Sequence, residues 1–144
     1  MVEYRLFGQK REDAEYIKRE GAYIICIRDG CVAASRAAKG YYLPGGGVKN
    51  GESHEECINR ECLEETGYSV RTGEKIAEAE IFFENGSKGD FHLFQNYYRG
   101  EFIKKEKEPV ETDVVFEWLP LENTDKMVVD GQKWAVRVCA DIKS

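Results

Sequence analysis

Apolar residues along the chain recur in two rhythms, one suited to strands and one to helices. Short apolar runs from Gly21 to Ile27 and from Cys31 to Ser35 flank Asp29-Gly30, a turn dipeptide, and predict a β-hairpin. Tyr41, Tyr42 and Leu43 lead into Pro44 and Gly45-Gly46-Gly47, which suits neither a helix nor a regular strand interior, so a tight backbone turn is expected there. Lys75 to Phe83 and Phe91 to Phe102 are rich in aromatic and branched residues. Asn85-Gly86 and Gly89-Asp90 separate them, as turn residues separate a second pair of strands. Val114 to Leu119 adds a further strand.

Between these runs, Ser53 and Glu56 have the spacing of a capping box, in which each side chain bonds the other's backbone N–H. A helix is therefore expected to begin near His54. Gly67 can take the left-handed conformation that ends it. After Asp130, Trp134, Val138 and Ile142 recur every four residues and predict a second helix with those three on its buried side. The elements add up to an α/β chain, a mixed sheet with helices against it. No repeat or linker divides residues 1–144, so one domain is expected. The longest irregular stretch is Lys104 to Asp113.

Composition narrows the partners. The chain has 144 residues, a net charge of -6 and a pI near 5.1. That size supports a core of its own, and that charge argues against a nucleic-acid polymer as partner. The run Lys104, Lys105 and Lys107 is interrupted by Glu106 and Glu108 and reads as a solvated loop. No segment reaches the roughly 18 apolar residues of a membrane helix. Met1 to Lys10 lacks an export-type apolar region, so a cytoplasmic location follows by default. The five cysteines, Cys26, Cys31, Cys57, Cys62 and Cys139, lack metal-ligand spacing and read as reduced core residues.

Chemistry concentrates between Gly46 and Tyr68. At about 100° per residue, Glu65 lies about 40° from Glu61, and Glu64 about 60° to the other side. Three carboxylates on one arc repel, at a few tenths of a kcal/mol per pair, unless a cation lies between them. Oxygen ligands of this kind suit Mg²⁺, which keeps waters and bridges to substrate phosphates. Glu-Glu pairs alone would describe any acidic surface helix. Gly46, Glu52, Arg60, Glu61, Glu64, Glu65 and Gly67 at fixed offsets are another matter, with a chance on the order of one in a million at a given start.

The segment GGVKNGESHEECINRECLEETGY resembles the box of the Nudix hydrolase family: Gly, five residues, Glu, seven residues, then Arg-Glu-apolar-x-Glu-Glu-x-Gly-apolar. Every fixed polar and glycine position is present, while Cys62 and Tyr68 fill apolar positions usually aliphatic. The resemblance implies an α/β/α sandwich, with the mixed sheet packed between helices. It implies a metal site made by Glu61, Glu64, Glu65 and the carbonyl of Gly46, taking Mg²⁺ with Mn²⁺ as a substitute. Glu52 and Arg60 are expected to pair and hold loop and helix in position. Gly45 and Gly46 border the substrate.

The proton acceptor is expected to be Glu64 or an acid of the later loop, which offers Glu108, Glu111 and Asp113; Glu111 is the choice among them. Its other reading is an exposed loop acid. Arg36 resembles the basic residue that relatives direct at substrate phosphate, or is a strand-end surface arginine. Tyr42, Phe83 and Tyr97 could stack on a base, but strand aromatics more often fill the core, so none is assigned. His54 and His92 have no partner at a meaningful spacing, and no P-loop or dinucleotide fingerprint is present.

The resemblance thus implies Mg²⁺-dependent cleavage of a diphosphate bond in a nucleoside diphosphate derivative. The proline that marks many ADP-ribose hydrolases would fall where Phe83 and Glu84 stand. The tyrosine of dinucleoside polyphosphate hydrolases would fall at Asn85 and Gly86. By elimination the chain looks most like a MutT-type nucleoside triphosphate pyrophosphohydrolase, with dinucleoside polyphosphates, ADP-ribose and nucleotide sugars as alternative substrates. The alternative of another class is a silent module that senses a nucleotide or binds a protein, but the intact carboxylates favour the enzyme. Dimers are common in the family, though no segment identifies a homodimer interface.

Overall fold

The computed structural model describes residues 1–141. Its largest element is a five-stranded sheet in the order β1, β7, β8, β2, β6, formed by Glu3–Phe7, Tyr68–Glu84, Asp90–Lys105, Tyr16–Ile25 and Gly45–Gly47. β1 runs parallel to β7 and β2 parallel to β8, while β7 with β8 and β2 with β6 are antiparallel, so the sheet is mixed as expected. A second, smaller sheet joins β3 (Ile27–Arg28), β4 (Cys31–Ala37), β5 (Gly40–Tyr42) and β9 (Val115–Pro120).

Helix α1 (His54–Thr66) packs its Cys57, Ile58 and Cys62 against Ala22 and Ile24 of β2 and Cys26 just after it. Side chains alternate across a strand. The neighbouring Ile25 therefore joins Ala77 and Ala79 of β7 and Tyr97 of β8 beneath α2 (Asp130–Cys139), which inserts Ala135, Val136 and Cys139. The large sheet lies between the two helices, the α/β/α sandwich that the resemblance implied.

Four expectations are corrected. The first strand of the predicted hairpin divides at Cys26: β2 stays in the large sheet, and only Ile27–Arg28 pairs with β4, through a turn with positive φ at Asp29 and Gly30. The triple glycine is not merely a turn. It forms β6, an edge strand against Gly21 to Tyr23, where no side chain has to be accommodated between sheet and α1. The strand expected from Lys75 begins at Tyr68, directly after the helix, and bends through register shifts between Ser69 and Ala77. In α2 the buried face is Gln132, Ala135, Val136 and Cys139; Trp134 and Val138 flank it half-buried, and Ile142 lies outside the described residues. Two elements were not expected from the sequence, β1 and the part of β2 before Gly21.

The five cysteines are free thiols, four of them buried. The lysine run splits, with Lys104 and Lys105 ending β8 and Lys105 pairing Glu108 at 3.1 Å on the surface. No helix among the described residues is long and apolar enough to cross a membrane.

Candidate active site

The geometry of the site begins at the two ends of α1. Ser53 accepts a hydrogen bond from the Glu56 N–H at 3.1 Å while Glu56 accepts from the Ser53 N–H at 2.9 Å, closing the capping box. At the other end Gly67, with φ of 79°, donates to Cys62 and Leu63. One further carbonyl of this end is taken by the loop after β8: Val110 and Glu111 both donate to the carbonyl of Glu64, at 2.9 and 3.1 Å. Capping the helix in this way carries Glu111 to the acids of α1.

Arg60 ties helix to loop. It bonds both oxygens of Glu52, at 2.7 and 2.9 Å, the carbonyl of Gly47 at 3.0 Å and Glu61 at 2.8 Å, and approaches Glu64 at 3.7 Å. The guanidinium holds the Glu52 carboxyl down at about 2, helped by the Lys49 N–H. The pairing expected of Glu52 and Arg60 is therefore present, and it positions the backbone of β6 as well.

Glu61, Glu64, Glu65 and Glu111 come together beside a cleft that Glu65 lines. Burial, reinforced by the charges of Glu61 and Glu111, pushes the Glu65 carboxyl up to about 9, although the Gly45 N–H bonds it at 3.4 Å. Glu111 is raised too, by burial and then by Glu61, Asp113 and Glu64. Like charges this close oppose the ionisation of Glu65 and of Glu111. Gly46 runs against Glu61 so closely that a Cβ there would sit 2.6 Å from its carboxyl carbon.

An all-oxygen donor set, an electrostatic demand for positive charge and a backbone cradle without a side chain together fit a hard divalent cation. No three acidic, His or Cys side chains among the described residues already form a finished cage. Arg60 holds one oxygen of Glu61, and the Gly46 carbonyl accepts from the Cys57 thiol at 3.4 Å. Ligation would draw on carboxylates that still have free oxygens, with water and phosphate completing the shell.

Beyond Glu65 the cleft opens to about 430 Å³. Its lining is Tyr42, Leu43, Val114 and Val129 on the apolar side, with Tyr23, Ser35, Gln95 and Gln132 as polar contributors. The three last are almost fully buried. Gln132 accepts from the Leu43 N–H at 2.8 Å, Gln95 accepts from the Tyr97 hydroxyl at 2.5 Å and donates to the Tyr23 hydroxyl at 3.5 Å, and the Ser35 hydroxyl has no partner. Sequence reading missed all three. The available signal was Gln132 standing in the i, i+3, i+4, i+7 set with Ala135, Val136 and Cys139, a polar residue on an apolar stripe.

Arg36 falls elsewhere. It sits next to Ser35 on the opposite face of β4 and bonds Glu117 of β9 at 2.6 Å, so its donor is engaged away from the cleft. Glu108 turns outward to Lys105. Tyr97 is core, Phe83 stacks on Phe91 at the far end of the sheet, and Tyr42 alone of the three aromatics borders the cleft. The histidines do have partners: His54 bonds Tyr98 and Glu20, and His92 bonds Glu80.

Comparison with known proteins places these features. A family model described as NUDIX domain matches residues 17–138. The GDP-mannose pyrophosphatase of Yersinia enterocolitica is 33% identical over 87 residues, 60% of this chain and 45% of that protein, so the match spans less than half of its length. A NUDIX hydrolase from Nitrosomonas europaea superposes with a TM-score of 0.71 at 15% identity, covering 87% of this chain and 90% of that one. A MutT protein from Methanosarcina mazei gives 0.68 at 20% identity, covering 90% and 99%.

Proposed function

The chain belongs to the NUDIX family, and from that premise we propose that it is a Mg²⁺-dependent hydrolase of a diphosphate bond in a nucleoside diphosphate derivative. One observation carries the reading: Glu65, with Glu61, Glu64 and Glu111 crowded about it, lines a cleft that also has apolar walls and a buried neutral hydroxyl, Ser35, without a partner. Charged phosphate and neutral base would be sorted to these different parts of it.

Glu61 and Glu65, with Glu64, would hold the cation. When bound, Mg²⁺ supplies neutralisation of phosphate charge and acidification of a water. Glu111 or Glu64 takes up the proton, as each retains carboxylate oxygens that Arg60 does not bind closely. Arg60 and Glu52 keep β6 and α1 in register and touch no substrate. Tyr42, Val114 and Val129 exclude water from the cleft floor, where a flat ring with few polar atoms fits better than a pyranose with a hydroxyl on nearly every carbon.

Within that class we favour a nucleoside triphosphate, split by water into nucleoside monophosphate and pyrophosphate, because the floor has side chains for one base. A nucleotide sugar is the second reading, favoured by the resemblance to the Yersinia protein named GDP-mannose pyrophosphatase. The test is release of phosphate and pyrophosphate from canonical and oxidised nucleoside triphosphates, dinucleoside polyphosphates and nucleotide sugars, with Mg²⁺, with chelator, and with Glu65→Gln. Turnover needing both metal and Glu65 supports the enzyme and names its substrate. A silent panel alongside metal-dependent nucleotide binding would replace it with a sensor.

A further inference from the structure

The large sheet has a second edge, far from the site, that is open. β1 is hydrogen-bonded on one side only, to β7. Its outer N–H and C=O groups are free to pair with another strand. Met1, Val2, Tyr4 and Leu6 are all among the exposed large apolar side chains, Tyr4 at 59% and Leu6 at 49%. Two usual protections of an edge are absent from β1: its register with β7 has no bulge, and it contains no proline.

On β1, Tyr4 and Leu6 share a face with Glu78 and Glu80, while Glu3 and Arg5 share the other with Ala77 and Ala79. Arg5 lies over the Phe7 ring at 5.0 Å. Among the described residues neither Glu3 nor Arg5 has an ion-pair partner.

The strand's order of residues selects a partner. Antiparallel pairing of two identical edges requires a two-fold axis perpendicular to the sheet. Such an axis keeps like faces together, so it passes through a residue and not between two. Centred on Glu3 it opposes two glutamates, and centred on Arg5 two arginines, and like charges directly opposite destabilise a strand pair. Centred on Tyr4 it sets Glu3 of each copy against Arg5 of the other, Val2 against Leu6 and Tyr4 against Tyr4. Val2-Glu3-Tyr4-Arg5-Leu6 is thus complementary to itself when reversed.

We propose that β1 is a homodimer interface, pairing antiparallel with β1 of a second copy about Tyr4 and joining the two large sheets into one. The unpaired charges, the exposed apolar row and the free backbone edge are then satisfied by one contact. The active sites, at the β6 edges, face away from it.

Sedimentation of the full chain over a concentration series tests this with charge exchange. Wild type should dimerise. Glu3→Arg sets arginine against arginine and Arg5→Glu sets glutamate against glutamate, and each should weaken dimerisation on the order of tenfold or more. An equimolar mixture of the two variants should recover it, because Arg at position 3 of one then faces Glu at position 5 of the other. Both residues are exposed, so at concentrations where all are monomeric the variants should melt as wild type does. A wild type that stays monomeric throughout, single variants that dimerise undiminished, or a mixture no tighter than its components would each overturn the proposal.

Discussion

The two ends of the cleft leave polar demand unmet in opposite ways. At the mouth the unmet groups are charged: Glu61, Glu64, Glu65 and Glu111 compete, and one arginine serves part of the cluster. On the floor the unmet group is neutral: the Ser35 hydroxyl is buried without a partner, beside Gln95 and Gln132, whose side-chain carbonyls accept from Tyr97 and Leu43. A folded chain normally satisfies its buried polar groups. Where it does not, the chemical kind of the deficit points to a ligand, and the proposed function would answer it with a cation and phosphate at the acids and a neutral ring at Ser35.

The largest effect should come from Glu65→Gln. Loss of this carboxylate is expected to lower kcat by about 10²–10⁴-fold, the range for removing a group that acts directly in the reaction. The same change should stabilise the metal-free protein. A carboxyl whose folded value is about 9 keeps a proton that the unfolded chain loses near its ordinary 4.5. Folding stability therefore falls as pH rises between those values, and glutamine removes the penalty. Melts in chelator should show the variant ahead by on the order of 1–3 kcal/mol at neutral pH, with the gap widening from pH 5 to 9. A gap independent of pH would refute the crowded-charge account of the mouth.

Gly46→Ala should come next and separate geometry from stability. The new Cβ meets the end of the Glu61 side chain, not backbone, so the carboxylate can move aside with a small stability cost. Its displacement by an ångström or so should nevertheless reduce kcat about 10²-fold. A melting loss matching the activity loss would show the glycine to be merely structural. Arg60→Ala, which releases Glu52 and the Gly47 carbonyl, should cost about 10–100-fold in Mg²⁺ affinity, read by metal titration of activity. An unchanged titration curve would deny Arg60 its positioning role.

The mouth was legible in the sequence and the floor was not, for a physical reason. The acids, their arginine and their glycine lie on one helix and one short loop, so spacing alone brings them together. Ser35, Gln95 and Gln132 come from β4, β8 and α2, and only the sandwich unites them. Glu111 was found from the resemblance and reaches the acids because its loop caps α1, a contact no local pattern contains. Arg36 was misplaced for the opposite reason: the period of two in β4 turns it from the face that Ser35 shares with the cleft, and strand phase cannot be fixed from a single polar residue. The two edge strands are harder to read because β1 alternates apolar and charged residues over only a few positions and exposes its apolar side, while β6 is all glycine and has no alternation.

The smallest effect tests the floor. A buried hydroxyl without a partner costs about 1–3 kcal/mol, so Ser35→Ala should leave the free protein as stable as wild type or slightly more so. If the hydroxyl is kept for a base, its loss weakens substrate by the worth of one hydrogen bond, about 0.5–1.5 kcal/mol, and KM rises roughly two- to tenfold while kcat holds. That split is the opposite of Glu65→Gln, which should lower kcat. Substrates differing in one ring substituent should narrow the contact, since only those able to bond Ser35 lose affinity in the variant. A uniform KM across them, with the stability gain intact, would make Ser35 a site of strain, and the neutral deficit would then have no ligand to describe.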